Sequence, residues 1–415
     1  MQKAGGIVGL LLLFWLCVAC ASEKTVTAIP TSSPEPTRAA TETRLPTATV
    51  APTVTATITP APSPTRAPAF RLIAYLAAWS TAPSRGYRIA DLPADKLTHL
   101  NYAFASVSPQ GECVNGDASA DARNFPELQK LKRQFPHLNI LISIGGAGAQ
   151  NFANAAKSVE ARQKFARSCV AFMRQNGFDG IDMDWEFPKN AEEKQNYAAL
   201  LAELRAQLDA RARLTIAAPA GPNQYTGVAW NQIARDLDWI NLMTYDFAGP
   251  WSATTGLNAP LYASSFDPAK TKSAQAYNGH AAVRAYIGAG VPPEKIVFGV
   301  PFYGRGWKDV PSANNGLFQK FNGIPQGTRG GGAFDYRDLK KNYLPTFMRF
   351  WDDAAQVPWL YNPATQVLIS YDDPESLARK AEYVVANKLG GVMIWEISTD
   401  DEQGSLINAL SARLR

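Results

Sequence analysis

Eight short apolar runs, rich in β-branched and aromatic residues, recur along the chain at 72–79, 97–105, 138–144, 178–185, 214–219, 239–245, 295–301 and 391–396. Amphipathic helical stretches separate them: Tyr197, Leu200, Leu201, Leu204 and Leu208 keep helical spacing, as do Leu377, Ala381, Val384 and Val385 after a helix start at Pro374. Eight alternating units imply an α/β fold, a (β/α)8 TIM barrel, with a small α+β insertion between strand 7 and helix 7 at about 308–366. In such a barrel the functional groups gather at the C-terminal strand ends. The unusual polar residues fall there: Ser143-Ile144-Gly145-Gly146 after the third run, Met243-Thr244-Tyr245-Asp246 after the sixth, Phe302-Tyr303-Gly304-Arg305 after the seventh and Trp395-Glu396 after the eighth.

The fourth run ends in Asp179-Gly180-Ile181-Asp182-Met183-Asp184-Trp185-Glu186-Phe187-Pro188. In an extended chain, side chains alternate, so Asp182, Asp184 and Glu186 share one face while Ile181, Met183 and Trp185 share the other. Three ionised carboxylates on one face each lose solvation and repel one another, so protonation is the inexpensive escape. Glu186, at the end of the row, is the natural proton donor, with Asp184 and Asp182 behind it to raise its pKa.

The N-terminal segment reads as an address. Lys3 precedes an apolar run at 5–19 of roughly fifteen residues, short of the roughly 20 that span a bilayer. It closes in Cys17-Val18-Ala19-Cys20, similar to a bacterial lipoprotein box, although that pattern prefers Leu where Cys17 stands. The resemblance implies a signal peptide over 1–20, lipidation of Cys20, and export to the outer face of the cell membrane, with plain secretion as the other outcome. Residues 21–68 are dominated by Thr, Pro, Ala and Ser and bury too little to fold, so they are expected to be a linker; 69–415 form the catalytic unit. A net charge of +5 without basic clusters argues against nucleic acid as a partner. Cys169 lies on an apolar helical face with Phe165, Phe172 and Met173, which favours a buried thiol over a bridge to Cys113. The three histidines show no ligand spacing, so neither a metal nor another cofactor is expected, and a Ser-His-Asp triad lacks parts.

The D-x-x-D-x-D-x-E pattern of Asp179, Asp182, Asp184 and Glu186, with S-x-G-G at Ser143, Gly145 and Gly146, resembles the signature of chitinase-type glycoside hydrolases of family 18. The resemblance implies a retaining enzyme, expected to be monomeric, that uses the substrate's own N-acetyl group in place of a second catalytic carboxylate. Glu186 would then protonate the leaving oxygen and later deprotonate water. Asp184 would orient the acetamide, supported by a proton shared with Asp182, and Tyr245 would bind the acetamide carbonyl. Trp395 would be the floor under that sugar, Asp246 and Arg305 its polar partners, and Met243, Tyr303 and Phe104 part of the wall. Tyr75 and Ser143 match positions under the acidic row, and Trp251 a stacking position on the leaving-group side.

One departure is Ala147, where many chitinases carry a Trp that stacks beyond the cleavage point. Its absence points toward weaker grip on long chains. Trp351, Asp352, Trp359 and Tyr361 of the insertion either deepen the groove in compensation or merely pack a barrel edge, and Glu396 is expected to pair with a cation. The leading reading is hydrolysis of β-1,4-linked N-acetylglucosamine polymers or oligomers. Two others stay open: an N-acetylglucosaminidase acting on peptidoglycan or glycans, and a sugar-binding barrel without turnover.

Overall fold

The computed structural model describes residues 70–272 and 274–414; the expected leader, Cys20 and the linker lie outside the described residues. Eight parallel strands pair in chain order: Arg71–Ala77, His99–Val107, Asn139–Gly145, Gly180–Asp184, Arg213–Pro219, Trp239–Met243, Ile296–Pro301 and Gly391–Trp395. The first pairs both with the second and, from Arg71↔Gly391 to Ala74↔Ile394, with the last, so the sheet closes into a barrel with helices between successive strands. All eight runs read from the sequence became strands.

Alternation along each strand divides the interior in two. Ile73, Tyr75, Ala103, Leu141, Trp239, Val297 and Met393 fill the barrel, while Leu72, Ala74, Leu76, Ile140, Ile142, Ile181 and Met183 belong to the core shared with the helices. The helix Val159–Gln175 shows the outer half of this packing. Ser158 Oγ accepts from the Ala161 N–H at its start, and Phe165, Ala166, Cys169, Val170 and Met173 form its buried stripe, while Phe172 is only partly covered. Cys169 and Cys113 are both free and buried, and burial pushes the Cys169 thiol up, with Cys113 adding to the effect. The helix Ala191–Gln207 buries Tyr197, Leu200, Leu201 and Leu204, with Leu208 just beyond its end. In Pro374–Ala386, capped by Asp373, the expected stripe holds at Leu377, Ala381 and Val384 but not at Val385, which is exposed. The helix turns its adjacent residue to solvent there, since neighbours lie about 100° apart.

The insertion contains a five-stranded antiparallel sheet in the order Ala333–Asp335, Tyr303–Trp307, Val367–Ser370, Val357–Asn362 and Met348–Asp352. Its first strand begins at Tyr303, two residues after the seventh barrel strand, so it starts nearer the barrel mouth than residue 308. That early start brings Tyr303 and Arg305 to the site.

Candidate active site

Trp185 fixes the exit of the fourth strand. Its ring stacks on Phe152 at 5.5 Å and 11° and meets Tyr197 edge-on at 5.5 Å, which anchors it in the outer core. With Ile181, Met183 and Trp185 turned outward, Asp182, Asp184 and Glu186 face inward, as alternation requires. Asp179 does not join them. It pairs with Lys132 at 2.5 Å, and its Oδ2 accepts from the Ile140 N–H at 2.9 Å, tying the strand's base to its neighbours.

The three inward carboxyls have different surroundings. Asp182 is fully buried and accepts from Tyr75 Oη (2.6 Å), Ser143 Oγ (2.8 Å), Thr215 Oγ1 (2.5 Å) and Asn241 Nδ2 (3.1 Å). Burial raises its pKa, and those four bonds oppose the rise. Asp184 is nearly as buried, yet its Oδ1 has no hydrogen-bond partner among the described residues. Burial holds its pKa well up, and the charges of Glu186 and Asp182 add to that. Glu186 lines the cavity, and its pKa is pushed up to about 7 by burial first and the Asp246 carboxylate second. Asp246 thus adds a charge from across the cavity, beyond the repulsion between Glu186 and Asp184 along the row itself. The proton expected to be shared between Asp182 and Asp184 has no hydrogen bond to carry it here, because donors occupy both Asp182 oxygens.

Asp246 begins the opposite wall in a left-handed backbone conformation (φ 58°), with its N–H donated to Asn258 Oδ1. Arg305 grips it with two bonds, Nε to Oδ1 at 2.8 Å and Nη2 to Oδ2 at 2.7 Å, and Tyr303 Oη adds a third at 2.8 Å. Burial opposes the Arg305 charge, but the bonds to Asp246 outweigh it and raise its pKa. The same guanidinium lies 5.3 Å from the ring centroid of Trp251, a residue that is 61% exposed. The one hydrogen bond of Tyr245 Oη among the described residues is to the weakly accepting Met393 Sδ at 3.9 Å, so the phenol is free to bind a ligand. Trp395 stacks on Phe104 at 5.8 Å and 21° and tilts against Tyr75 at 5.5 Å, forming an aromatic floor.

Together these side chains line a cavity of about 760 Å³ at the barrel mouth. Every site residue expected from the sequence lies in its lining, apart from Ser143 and Asp182, which sit beneath it, and Cys20, which is outside the described residues. Two expectations fail. Trp351, Asp352, Trp359 and Tyr361 are absent from the lining: Trp359 and Tyr361 are core of the insertion, and Asp352 is buried against Ser264 and the N–H groups of Ala354 and Ala355. Alternation puts Val357, Trp359 and Tyr361 on one face, turned into the insertion's own core, while the Trp351 ring lies under the Arg349 guanidinium. Glu396 makes no ion pair among the described residues, though its charge acts on Arg85; it accepts from Ser80 Oγ, Ser398 Oγ and the Ser398 N–H, capping a short 3-10 turn. Trp79, Phe187, Gln224, Phe247 and Tyr277 also line the cavity and were not assigned to the site from sequence. Trp79 was legible in principle, since it lies two residues past the end of the first strand. Gln224 stands on a one-turn helix and the others in irregular segments, with no periodicity to mark them.

The sequence model described as glycosyl hydrolases family 18 matches residues 71–400. The chain belongs to that family. This family 18 chain is 36% identical to Chitinase A1 of Niallia circulans over 414 residues, covering 83% of this chain and 58% of that one. It is 37% identical to Chitinase 1 of Aphanocladium album over 356 residues, 79% of this chain and 81% of the relative. Among solved structures, chitinase ChiA74 from Bacillus thuringiensis superposes with a TM-score of 0.78 at 34% identity, covering 83% of this chain and 69% of that structure. The family 18 chain is thus a chitinase-type glycoside hydrolase, built on the barrel and carboxyl row described above.

Proposed function

We propose that this family 18 enzyme cleaves β-1,4-linked N-acetylglucosamine polymers and oligomers with retention, using the substrate's acetamido group as nucleophile. The carrying observation is the division of labour among the carboxyls: Asp182 is saturated by four donors, while the Asp184 Oδ1 and the Glu186 carboxyl have no protein hydrogen bond among the described residues. Glu186, with a pKa of about 7, holds a proton near neutrality and gives it to the glycosidic oxygen as the bond to the anomeric carbon breaks. The acetamido carbonyl oxygen, steered by Tyr245 Oη, closes on that carbon. Asp184 accepts from the acetamide N–H and balances the oxazolinium charge. Water then opens the ring and yields its proton to Glu186, which restores the enzyme.

Trp395 carries the reacting sugar, and Asp246 with Arg305 offers it a fixed charged pair. The leaving side is marked by Trp251 and Ala147, and the missing aromatic at 147 favours short or soluble chains over crystalline chitin. Such chemistry requires a 2-acetamido sugar at the reacting position. The test compares chitotetraose with the fully deacetylated tetrasaccharide: turnover of the first alone is expected, and comparable cleavage of the second would overturn the acetamido-assisted reading.

The leader supports a placement for the enzyme: processing before Cys20, lipidation of that cysteine, and display of a monomeric barrel outside the cell on the Thr/Pro-rich linker. Labelled fatty acid incorporated by the parent and lost in Cys20→Ala is the expected result. Equal labelling of both proteins, or of neither, would refute the anchor.

A further inference from the structure

Most polar side chains around the cavity are already committed. Tyr75 donates to Asp182, Tyr303 and Arg305 hold Asp246, and Tyr277 Oη accepts from Asn223 Nδ2 at 3.1 Å. Asp184, Glu186 and Tyr245 belong to the reacting centre. Gln224 remains: it lines the cavity, and its side-chain amide has no hydrogen-bond partner among the described residues.

Gln224 stands on the short helix Pro222–Tyr225 that follows the fifth barrel strand. Its side chain folds back over Gly221, where a Cβ would lie only 2.3 Å from Oε1. The Gly221 backbone is ordinary, with φ −78° and ψ 136°, so a Cβ there would strain no backbone and would only push the flexible amide aside. Across the mouth, Trp79 follows the first strand, Phe104 lies within the second and Trp395 ends the eighth, while Gln224 and Trp251 follow the fifth and sixth. Gln224 therefore lies at the Trp251 end of the cavity, away from the aromatic floor.

We propose that Gln224 is a specificity-determining residue for the leaving sugar, its amide bonding that sugar's hydroxyl or acetamido groups. The assignment rests on the polarity given above, with Trp251 and Ala147 on the leaving-group side. An amide donates and accepts at once, which suits a sugar that presents both kinds of group. With only a methyl at position 147, this end has Trp251 to stack on, and Gln224 supplies an uncommitted polar contact beside it.

The test uses two substrates: chitotetraose, which leaves as a sugar, and an aryl β-glycoside of chitobiose, whose leaving group is an aromatic alcohol. In Gln224→Ala, the ratio of kcat/KM for the tetrasaccharide to that for the aryl glycoside falls roughly two- to tenfold, as expected for one neutral hydrogen bond, and the change is carried in KM. Gly221→Ala, which displaces the amide without removing it, lowers the ratio in the same direction. Trp79→Ala, at the other end, lowers kcat/KM for both substrates together. An unchanged ratio in Gln224→Ala and Gly221→Ala would overturn the assignment, as would equal losses on both substrates. A parent enzyme inert on both substrates would overturn the hydrolase reading itself, and this assignment with it.

Discussion

Replacing Glu186 by Gln is expected to stabilise the protein above neutrality while removing its activity. The folded site raises the Glu186 pKa from its ordinary 4.5 to about 7, so the folded state holds this proton more tightly than the unfolded chain does. Between those values the unfolded chain has lost the proton and the folded protein still binds it. The stability contributed by this group is therefore fully present below pH 4.5 and is lost as pH rises through 7. The full effect is about 3 kcal/mol against the charged form, reached above pH 7. A Gln at 186 carries no such charge and also relieves the repulsion on Asp184. For a domain of this size the effect corresponds to roughly 5 °C in melting temperature. The assay is thermal denaturation of parent and variant at pH 5 and pH 8. The buried amide adds its own cost at every pH, so the readout is the change in the difference between the two pH values. A difference constant across that range, or one that turns against the variant as pH rises, would refute the reasoning.

Three further outcomes follow from the same geometry. Asp246→Asn removes the second cause of the raised Glu186 pKa and frees the Arg305 charge, so the alkaline limb of the kcat/KM profile moves to lower pH; a limb that stays in place would contradict the cross-cavity coupling. Asp179→Asn, despite its place in the acidic motif, is expected to cost about 1 kcal/mol of stability and leave kcat near the parent value, because its partners are Lys132 and the Ile140 N–H. Lys380→Met strands the fully buried Asp372, now 2.5 Å from the Lys380 Nζ, and is expected to lower stability by about 3–5 kcal/mol, read by chemical denaturation.

The barrel was legible because its information is local and repeated. A strand such as Asn139–Gly145 announces itself by composition, and the fold's own rule then says which end carries chemistry. That rule located Tyr245, Asp246, Arg305 and Trp395 as well as the acidic row. Partnership across the barrel was not legible. Nothing near Asp182 in sequence says that Thr215 and Asn241 complete its shell; only the parallel register, with Asp182 opposite Thr215 and Ala217 opposite Asn241, brings them together. The Asp246 contribution to the Glu186 pKa was missed for the same reason, since Asp246 is remote in the chain. Trp359 and Tyr361 misled because an aromatic in an insertion serves equally to bind a ligand or to give a small sheet its own core.

The most direct test of substrate-assisted hydrolysis is time-resolved proton NMR of chitotetraose cleavage by the parent and by Glu186→Gln. The expected result is β-anomer as the first product of the parent, followed by slow mutarotation, with turnover in the variant lower by at least about 100-fold. Initial α-anomer, or a variant as active as the parent, would contradict a retaining mechanism with Glu186 as its acid.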